Sequence, residues 1–246
     1  MKILVFTSNK GGVGKTSSCS ATAAILKDVY HQRVLCLDCD CQRNLSYSFG
    51  IDDEEAPSMF DVLMYNTPIQ DVIVKTDQCD IVPATMAISA LPKMDADALK
   101  ESLLPVADQY DYVLLDTAPG ISTILYSCLY AADTAVICGN TEGVQSLQGI
   151  QSTVKLINDI DSPLQIGGIL MTECDSRTNL GKGIIAAAKE IANNLESQFY
   201  GSVRRNVSVA EAWANRTSIT QYDPDGKACQ DYKEYVKKLL EGEHDN

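Results

Sequence analysis

The chain has 246 residues, of which 45% are hydrophobic and 22% are charged, and its formal net charge is −13. No linker, repeat or low-complexity run divides it, so we predict one domain over residues 1–246. No apolar stretch has the length of a membrane span, and nine cysteines without an export signal favour a reducing cytoplasm. The acidic balance by itself argues against a nucleic-acid partner.

The first element is an apolar strand at residues 3–6, and it leads into the octet 9–16, which reads N-K-G-G-V-G-K-T. A stretch rich in Ser and Ala, residues 17–26, follows and is compatible with a helix. A strand, a glycine-rich loop and a helix in this order are the context of a phosphate-binding loop. The general pattern has glycine at the first position, where this chain has Asn9, and Lys10 adds a second lysine.

The residues of this loop have the chemistry that a nucleotide triphosphate requires. Glycines allow backbone N–H groups to turn inward around an anion, and the N-terminus of the following helix adds partial positive charge. Lys15 is placed to reach the terminal phosphates, and Thr16 to offer a hydroxyl to Mg²⁺. We therefore predict that ATP or ADP binds at Lys10, Gly11, Gly12, Val13, Gly14, Lys15, Thr16 and Ser17.

Two later strands end in aspartates. One is followed by Asp38 and Asp40, and the other has four apolar residues and then Asp116. The second is the form of a Walker B strand, whose carboxylate holds Mg²⁺ directly or through water. Carboxylates at the ends of parallel strands lie at the edge of the sheet where a nucleotide binds. We predict Thr16, Asp38 and Asp116 as metal ligands, and Asp40 as a catalytic residue with Lys10 and Lys15.

Apolar strands and helical stretches alternate along the rest of the chain. This alternation predicts an α/β fold with a mostly parallel, twisted sheet and helices on both faces. The predicted strands are residues 3–6, 34–37, 81–82, 112–115, 135–138 and 166–171. The predicted helices are residues 17–26, 96–107, 143–160, 183–195 and 227–240, and residues 241–246 are predicted to be a frayed acidic tail.

Several segments together resemble the ParA/Soj/MinD ATPases, which are P-loop NTPases of the deviant Walker A type. Motifs of this family span positions 9 to 224, so the resemblance covers nearly the whole chain. The similar segments are K-G-G-V-G-K-T at 10–16, D-C-D-C-Q-R-N at 38–44, D-Y-V-L-L-D-T-A-P-G at 111–120, L-M-T-E-C-D-S-R-T-N-L at 170–180, R-N-V-S-V-A-E-A at 205–212 and I-T-Q-Y-D-P at 219–224. The last three resemble the partition branch, and the chain is identified as a ParA/Soj-type partition ATPase.

The resemblance implies a function and assigns roles to single residues. It implies slow Mg²⁺-dependent ATP hydrolysis coupled to homodimerisation, non-specific DNA binding by the ATP-bound dimer, a ParB-like centromere-binding partner that stimulates hydrolysis, and a cytoplasmic, nucleoid-associated location. Lys10 would reach the nucleotide of the partner subunit, because phosphoryl transfer needs another cation. Gly12 would allow the two backbones to approach, and Asp40 would orient the attacking water or relay the switch. Asn206 and Met171 would lie beside the adenine.

The chain departs from the family pattern in its loop and in its expected DNA surface. Cys41 and Arg43 replace Pro and Gly, and Ser208 stands where relatives often carry a basic residue. Residues 170–220 hold six basic and five acidic side chains, hence +1, which leaves −14 for the rest. We predict weak, salt-sensitive DNA binding. Its predicted residues are Lys182, Arg204, Arg205 and Arg216, with a place beside the nucleotide as the alternative for Arg205.

Two other functions of the same fold remain as alternatives. A MinD-like membrane-positioning ATPase would end in a basic amphipathic helix, whereas this chain ends K-K-L-L-E-G-E-H-D-N. A metal-cluster carrier resembling nitrogenase iron protein would need cysteines on loops that face the dimer axis. Cys36 and Cys39 have a C-x-x-C spacing but no second close pair, and Cys128 has no glycine-rich flank. We therefore expect neither a membrane contact nor a cluster.

Overall fold

The computed structural model describes residues 1–53 and 55–244. This part of the chain contains seven strands, in the spatial order β3-β2-β4-β1-β5-β6-β7, and every neighbouring pair is parallel. The predicted α/β fold with a parallel sheet is confirmed. The strands are β1 (Lys2–Thr7), β2 (Val34–Cys39), β3 (Asp80–Val82), β4 (Tyr112–Thr117), β5 (Thr134–Asn140), β6 (Gln165–Cys174) and β7 (Gln198–Arg204).

Helices connect the strands, and the described residues contain ten of them. They are α1 (Lys15–Asp28), α2 (Asn44–Ser48), α3 (Met59–Tyr65), α4 (Ala98–Leu103), α5 (Thr123–Ala131), α6 (Gln145–Asn158), α7 (Asn179–Asn194), α8 (Val207–Ala214), α9 (Ile219–Tyr222) and α10 (Lys227–His244). Short 3-10 turns cover Ile69–Asp71, Met86–Ala90 and Leu104–Val106. The single helix predicted at 96–107 is therefore α4 followed by a 3-10 turn that contains Pro105.

Two further differences from the prediction have local causes. Strand β7 was not predicted, because it is an edge strand of half-exposed residues interrupted by Gly201. Helix α10 continues to His244, so residues 241–244 are helical, fraying of this end stays a prediction, and residues 245–246 lie outside the described part. No helix in the described ranges is both long enough and apolar enough to cross a membrane.

The sheet is buried on both faces, and this makes its strands continuously apolar. In β1, Ile3 and Val5 pack into one core, whereas Leu4 and Phe6 pack into the other. Helices α3 to α7 cover the first face, and α1, α2, α8, α9 and α10 cover the second. The polar side chains of the strands lie at the strand ends. The candidate functional residues are therefore found at the carboxyl edge of the sheet.

Candidate functional site

The loop between β1 and α1 has the conformation of a phosphate cradle. Gly12 and Gly14 have φ values of +66° and +70°, a left-handed backbone that glycine adopts without strain. A Cβ on Gly14 would lie 2.7 Å from Oγ1 of Thr172. That hydroxyl donates a hydrogen bond of 2.8 Å to the carbonyl oxygen of Val13. The end of β6 therefore fixes the loop, and the close contact explains the glycine at position 14.

The two lysines of the loop have different surroundings. Lys15 is the first residue of α1 and is buried, and its Nζ donates to the carbonyl oxygen of Lys10 at 3.5 Å. Lys10 is half-buried, and its own Nζ donates to Oδ1 of Asn140 at 3.2 Å. Asn140 also donates from Nδ2 to the carbonyl oxygen of Gly12 at 3.1 Å. In the single chain Lys10 is thus bound to the end of β5, and its role toward a partner's nucleotide stays a prediction.

Asp38 lies at the end of β2 and is fully buried. Its Oδ2 accepts hydrogen bonds from the backbone N–H and the hydroxyl of Ser46, at 2.8 and 2.7 Å, and its Oδ1 accepts one from the N–H of Asp40 at 3.1 Å. Burial raises the pKa of this carboxyl to about 6, against the effect of those donors. Asp38 therefore holds α2 in place, and the predicted direct bond to a metal would compete with these contacts.

Asp116 pairs with Asp38 in the sheet register and is also fully buried, but it has different partners. Within the described ranges neither of its carboxyl oxygens has a hydrogen-bond partner. Burial raises its pKa well above the ordinary value, and the charge of Asp38 adds to that effect. The Thr16 hydroxyl and the Lys15 ammonium lie near enough to lower the same pKa.

An unpaired buried carboxylate is costly unless a cation or another donor satisfies it. A carboxylate beside a hydroxyl is a set of hard oxygen ligands, the kind that Mg²⁺ prefers. The residues present therefore fit the predicted metal, with Asp116 and Thr16 as the groups that would hold it. A bound Mg²⁺ would neutralise charge on the phosphates.

Asp40 lies in the loop between β2 and α2, which departs from the family pattern. Its Oδ1 accepts from the N–H of Gln42 at 2.9 Å. Arg43, at the position of the usual glycine, has φ of +58°. That conformation costs a non-glycine residue roughly 1–2 kcal/mol. The guanidinium of Arg43 donates to the carbonyl oxygens of Ala84 and Asp53 at 2.9 and 2.8 Å. The loop thus keeps a glycine-like backbone and is fixed by its arginine.

A cavity of about 510 Å³ opens beside the start of α1, a size that suits a nucleoside. Asn206 lies in its wall and caps α8, because its Oδ1 accepts from the N–H of Ser208 at 3.1 Å. Glu173, which is half-buried with a left-handed backbone and a pKa raised by burial, lies there too. The cavity is lined by Thr16, Ser17, Asn44, Glu173, Arg205, Asn206, Val207, Val209, Ala210 and Trp213.

Met171, which was predicted to lie beside the adenine, does not line this cavity. It is fully buried in the core under α3 to α7, whereas the cavity lies on the opposite face, between α1 and α8. Sequence reasoning also missed Asn44, Glu173 and Trp213 in the cavity wall. Only the resemblance of the surrounding segments pointed near them, since their convergence depends on tertiary packing.

The four basic residues predicted to bind DNA do not form one patch of free cations. Arg204 makes a bidentate ion pair with Asp231 of α10, at 2.6 and 2.7 Å. Arg216 makes another with Asp52, at 2.7 and 2.8 Å. Arg205 lines the cavity, as its alternative placement anticipated, and Lys182 is exposed on α7. Ser208 is buried rather than presented at the surface.

The cysteines other than Cys41 are buried and pack as small apolar groups. Cys36 and Cys39 are fully buried. Burial holds the pKa of the Cys36 thiol well above the ordinary value, and the neighbouring Cys128 thiol, followed by burial, does the same for Cys39. The Sγ atom of Cys36 lies 3.6 Å from that of Cys79. In the part of the chain that the structure describes, no three or more His, Cys, Asp or Glu side chains are arranged to hold a metal ion.

The glycine cradle after β1, the buried Lys15 and the unpaired Asp116 define a P-loop nucleotide-binding protein. Residues 1–166 match a family model described as an AAA domain. The chain is 30% identical to the sporulation initiation inhibitor protein Soj of Bacillus subtilis, over 97% of this chain and 98% of Soj. It is 29% identical to the chromosome partitioning protein ParA of Myxococcus xanthus, over 97% and 88% of the two chains. The chain belongs to the ParA/Soj family of the ParA/MinD superfamily of ATPases.

The fold agrees with a solved structure of that superfamily. The septum site-determining protein MinD from Pyrococcus horikoshii, complexed with Mg-ADP, superposes with a TM-score of 0.79 at 21% identity, over 97% of this chain and 95% of MinD. Such an identity establishes the fold alone. Within this superfamily both partition and septum-site proteins occur, so the surfaces beyond the ATP site decide between them.

Proposed function

We propose that this protein is a DNA-partition ATPase that hydrolyses ATP slowly in an Mg²⁺-dependent reaction coupled to homodimerisation. The observation that carries the ATPase chemistry is the buried, unpaired carboxyl of Asp116 beside Thr16 and Lys15. The similarity to Soj and to a chromosome partitioning protein over nearly the full length supports partition as the process. We further propose a cytoplasmic, nucleoid-associated location.

Different residues of the site bind the phosphates, orient the attacking water and stabilise the transition state. Backbone N–H groups of the cradle and the ammonium of Lys15 bind and orient the terminal phosphates. Asp40 accepts a hydrogen bond from the attacking water and directs it toward the γ-phosphate. Lys10 leaves Asn140 and reaches the partner subunit's nucleotide, which places one more cation against the charge that develops in the transition state. That exchange replaces a hydrogen bond to a neutral amide by one to an anion, so it is favourable when a dimer forms.

The proposed output is non-specific DNA binding by the ATP-bound dimer, with a ParB-like, centromere-binding partner that accelerates hydrolysis. Two of the predicted DNA residues, Arg204 and Arg216, already pair with carboxylates. Binding to phosphates would have to replace those pairs, so we propose low affinity that falls steeply with salt. Dimerisation doubles the number of contacts and makes the ATP state the one that binds.

The test combines turnover, oligomeric state and DNA retardation on the full chain. We expect hydrolysis that EDTA abolishes, dimers in sedimentation with ATP but monomers with ADP, and retardation of arbitrary duplex DNA at low salt with ATP. The variant Asp40→Ala should bind ATP and dimerise but fail to hydrolyse it. Turnover without a divalent cation, or dimers that form equally with ADP, would contradict the proposed coupling. ATP-dependent binding to anionic vesicles without DNA binding would favour the MinD-like alternative instead.

A further inference from the structure

The single tryptophan of the sequence, Trp213, lies where two cavities meet. It forms part of the wall of the 510 Å³ cavity that also contains Ser17 and Asn206. It also lines a second cavity of about 420 Å³, whose wall includes Cys41 and Arg43 of the loop after β2. Trp213 thus lies between the nucleotide cavity and the loop that carries Asp40. It is not among the residues proposed to bind phosphate, metal or DNA.

Trp213 joins the end of α8 to α2 through two contacts. Its indole Nε1 donates a hydrogen bond of 3.1 Å to the carbonyl oxygen of Asn44, the first residue of α2. Its ring packs on Tyr47, with ring centroids 4.8 Å apart and planes inclined by 34°. The guanidinium of Arg216 lies 4.7 Å from the centre of the Tyr47 ring and pairs with Asp52, which extends the same attachment.

Helix α2 has only five residues, so it has no stability of its own and its position depends on what holds it. Asp38 holds one side of it through Ser46. Trp213 holds its first residue, Asn44, which follows Asp40 by four positions. A change in the position of α8 is therefore transmitted to the loop that contains Asp40.

We propose that Trp213 is a positioning residue that couples occupation of the nucleotide cavity to the placement of Asp40 for hydrolysis. This inference rests on the proposed ATPase function and on the role assigned to Asp40. A nucleoside that fills the space between α1 and α8 fixes the indole ring against Tyr47. The indole N–H then holds Asn44, and the short loop between Asn44 and the end of β2 keeps the Asp40 carboxylate in register with the phosphate loop. Trp213 acts on the reaction through Asn44 and Asp40, whereas ATP affinity depends mainly on the phosphate cradle.

Two substitutions separate the contacts of the indole. Trp213→Phe keeps a ring on Tyr47 but removes the N–H donor to Asn44, and Trp213→Leu removes both contacts. Tyr65→Leu is the matched control, because Tyr65 is an exposed aromatic residue on α3 that packs on Phe60, away from the site. We expect kcat to fall about fivefold in Trp213→Phe and further in Trp213→Leu, with ATP affinity changed by less than about threefold. Tyr65→Leu should leave both quantities unchanged.

Amide hydrogen exchange with Mg-ATP distinguishes coupling from a merely structural role, because it reports the two regions separately. In the wild type, ATP should slow exchange in residues 40–48 as well as in residues 10–28. In Trp213→Leu the slowing in 40–48 should be lost while that in 10–28 persists. Wild-type protection of 40–48 in Trp213→Leu, an unchanged kcat, or a loss of kcat proportional to the lost binding capacity would overturn the coupling. A wild type without ATP turnover would refute the proposed function, and the exchange result would still decide whether Trp213 couples the two regions.

Discussion

The carboxyl edge of the central strands and the basic segment from 170 to 220 use charge in opposite ways. At the edge, Lys15, Asp38 and Asp116 are buried, and Asp116 has no donor among the residues that the structure describes. In the basic segment, Arg204 and Arg216 are partly exposed, and each is matched by a carboxylate. The first region keeps unsatisfied charge at a cost in folding free energy, whereas in the second the charges of Arg204 and Arg216 are already neutralised.

This difference shows which residues a ligand can affect most. A buried and unpaired charge gains much when a ligand supplies the missing counter-charge. An exposed ion pair contributes little to stability, and it must be broken before either partner can bind something else. We therefore expect large effects from substitutions at the nucleotide edge and small ones in the basic segment.

The largest effect is expected from Lys15→Ala. The variant removes a buried ammonium from the centre of the phosphate cradle, and we expect ATP affinity to fall by at least about 100-fold, the order of a lost charge-assisted hydrogen bond with its electrostatic support. Titration calorimetry with ATP measures it. The control is Lys27→Ala, a lysine at the other end of the same helix, which should bind ATP as the wild type does. ATP binding by Lys15→Ala as tight as that of the wild type would contradict the comparison at its strongest point.

The next effect separates the two lysines of one loop. We expect Lys10→Ala to bind ATP within about threefold of the wild type, because its Nζ contacts Asn140 and lies outside the cradle. It should lose ATP-dependent dimerisation, and turnover should fall by about 1000-fold, as for a transition-state cation supplied in trans. Lys155→Ala, an exposed lysine on α6, is the control. If Lys10→Ala fails to bind ATP at all, its assignment to the partner's nucleotide is wrong.

These predictions concern residues that local sequence could identify. The glycine loop and the aspartates at strand ends depend on a few neighbouring positions, so the sequence indicated the fold and the place of these residues at the carboxyl edge of the sheet. Met171 lies on the same face of β6 as Ile169, as strand alternation requires, but the cavity lies on the other face because of how α1 and α8 pack, which no local pattern reveals. The partners of Arg216 and Trp213 are 164 and 169 positions away, and the pairing that neutralises the basic segment needs the whole fold.

A smaller effect is expected on the pH dependence of folding. The pKa values of Asp38 and Asp116 are raised in the folded chain, so the folded state binds more protons than the unfolded one above roughly pH 4. With EDTA and no nucleotide, the free energy of unfolding should therefore fall as pH rises from that value past about 6. Asp116→Asn removes one ionisation and should flatten this decline, so the variant should be more stable than the wild type at neutral pH and differ little from it in acid.

Urea unfolding between acid and neutral pH measures this effect, and Asp111→Asn supplies a control of opposite sign. Arg33 lowers the pKa of Asp111 to about 2, so its contribution is present above the unfolded pKa and is lost as pH falls. That variant should be less stable than the wild type at neutral pH. If Asp116→Asn is less stable than the wild type at neutral pH without Mg²⁺, the Asp116 carboxylate of the wild type has a hydrogen-bond donor in solution. The contrast between the two regions is then smaller than the structure shows.

The smallest effect is expected in the basic segment itself. Because Arg204 and Arg216 are already paired with Asp231 and Asp52, the double variant Arg204→Ala, Arg216→Ala should weaken DNA binding by no more than about tenfold at low salt, the contribution of a few exposed phosphate contacts.

Removing the carboxylates tests the same pairing from the other side. Asp231→Asn frees Arg204 for a phosphate, so this variant should bind DNA more tightly than the wild type, with a steeper dependence on salt. Retardation of one arbitrary duplex across a salt series, with ATP and with ADP, measures both. Weaker DNA binding by Asp231→Asn would show that the ion pair holds Arg204 in its binding orientation, and the second region would then resemble the first in depending on a fixed charge.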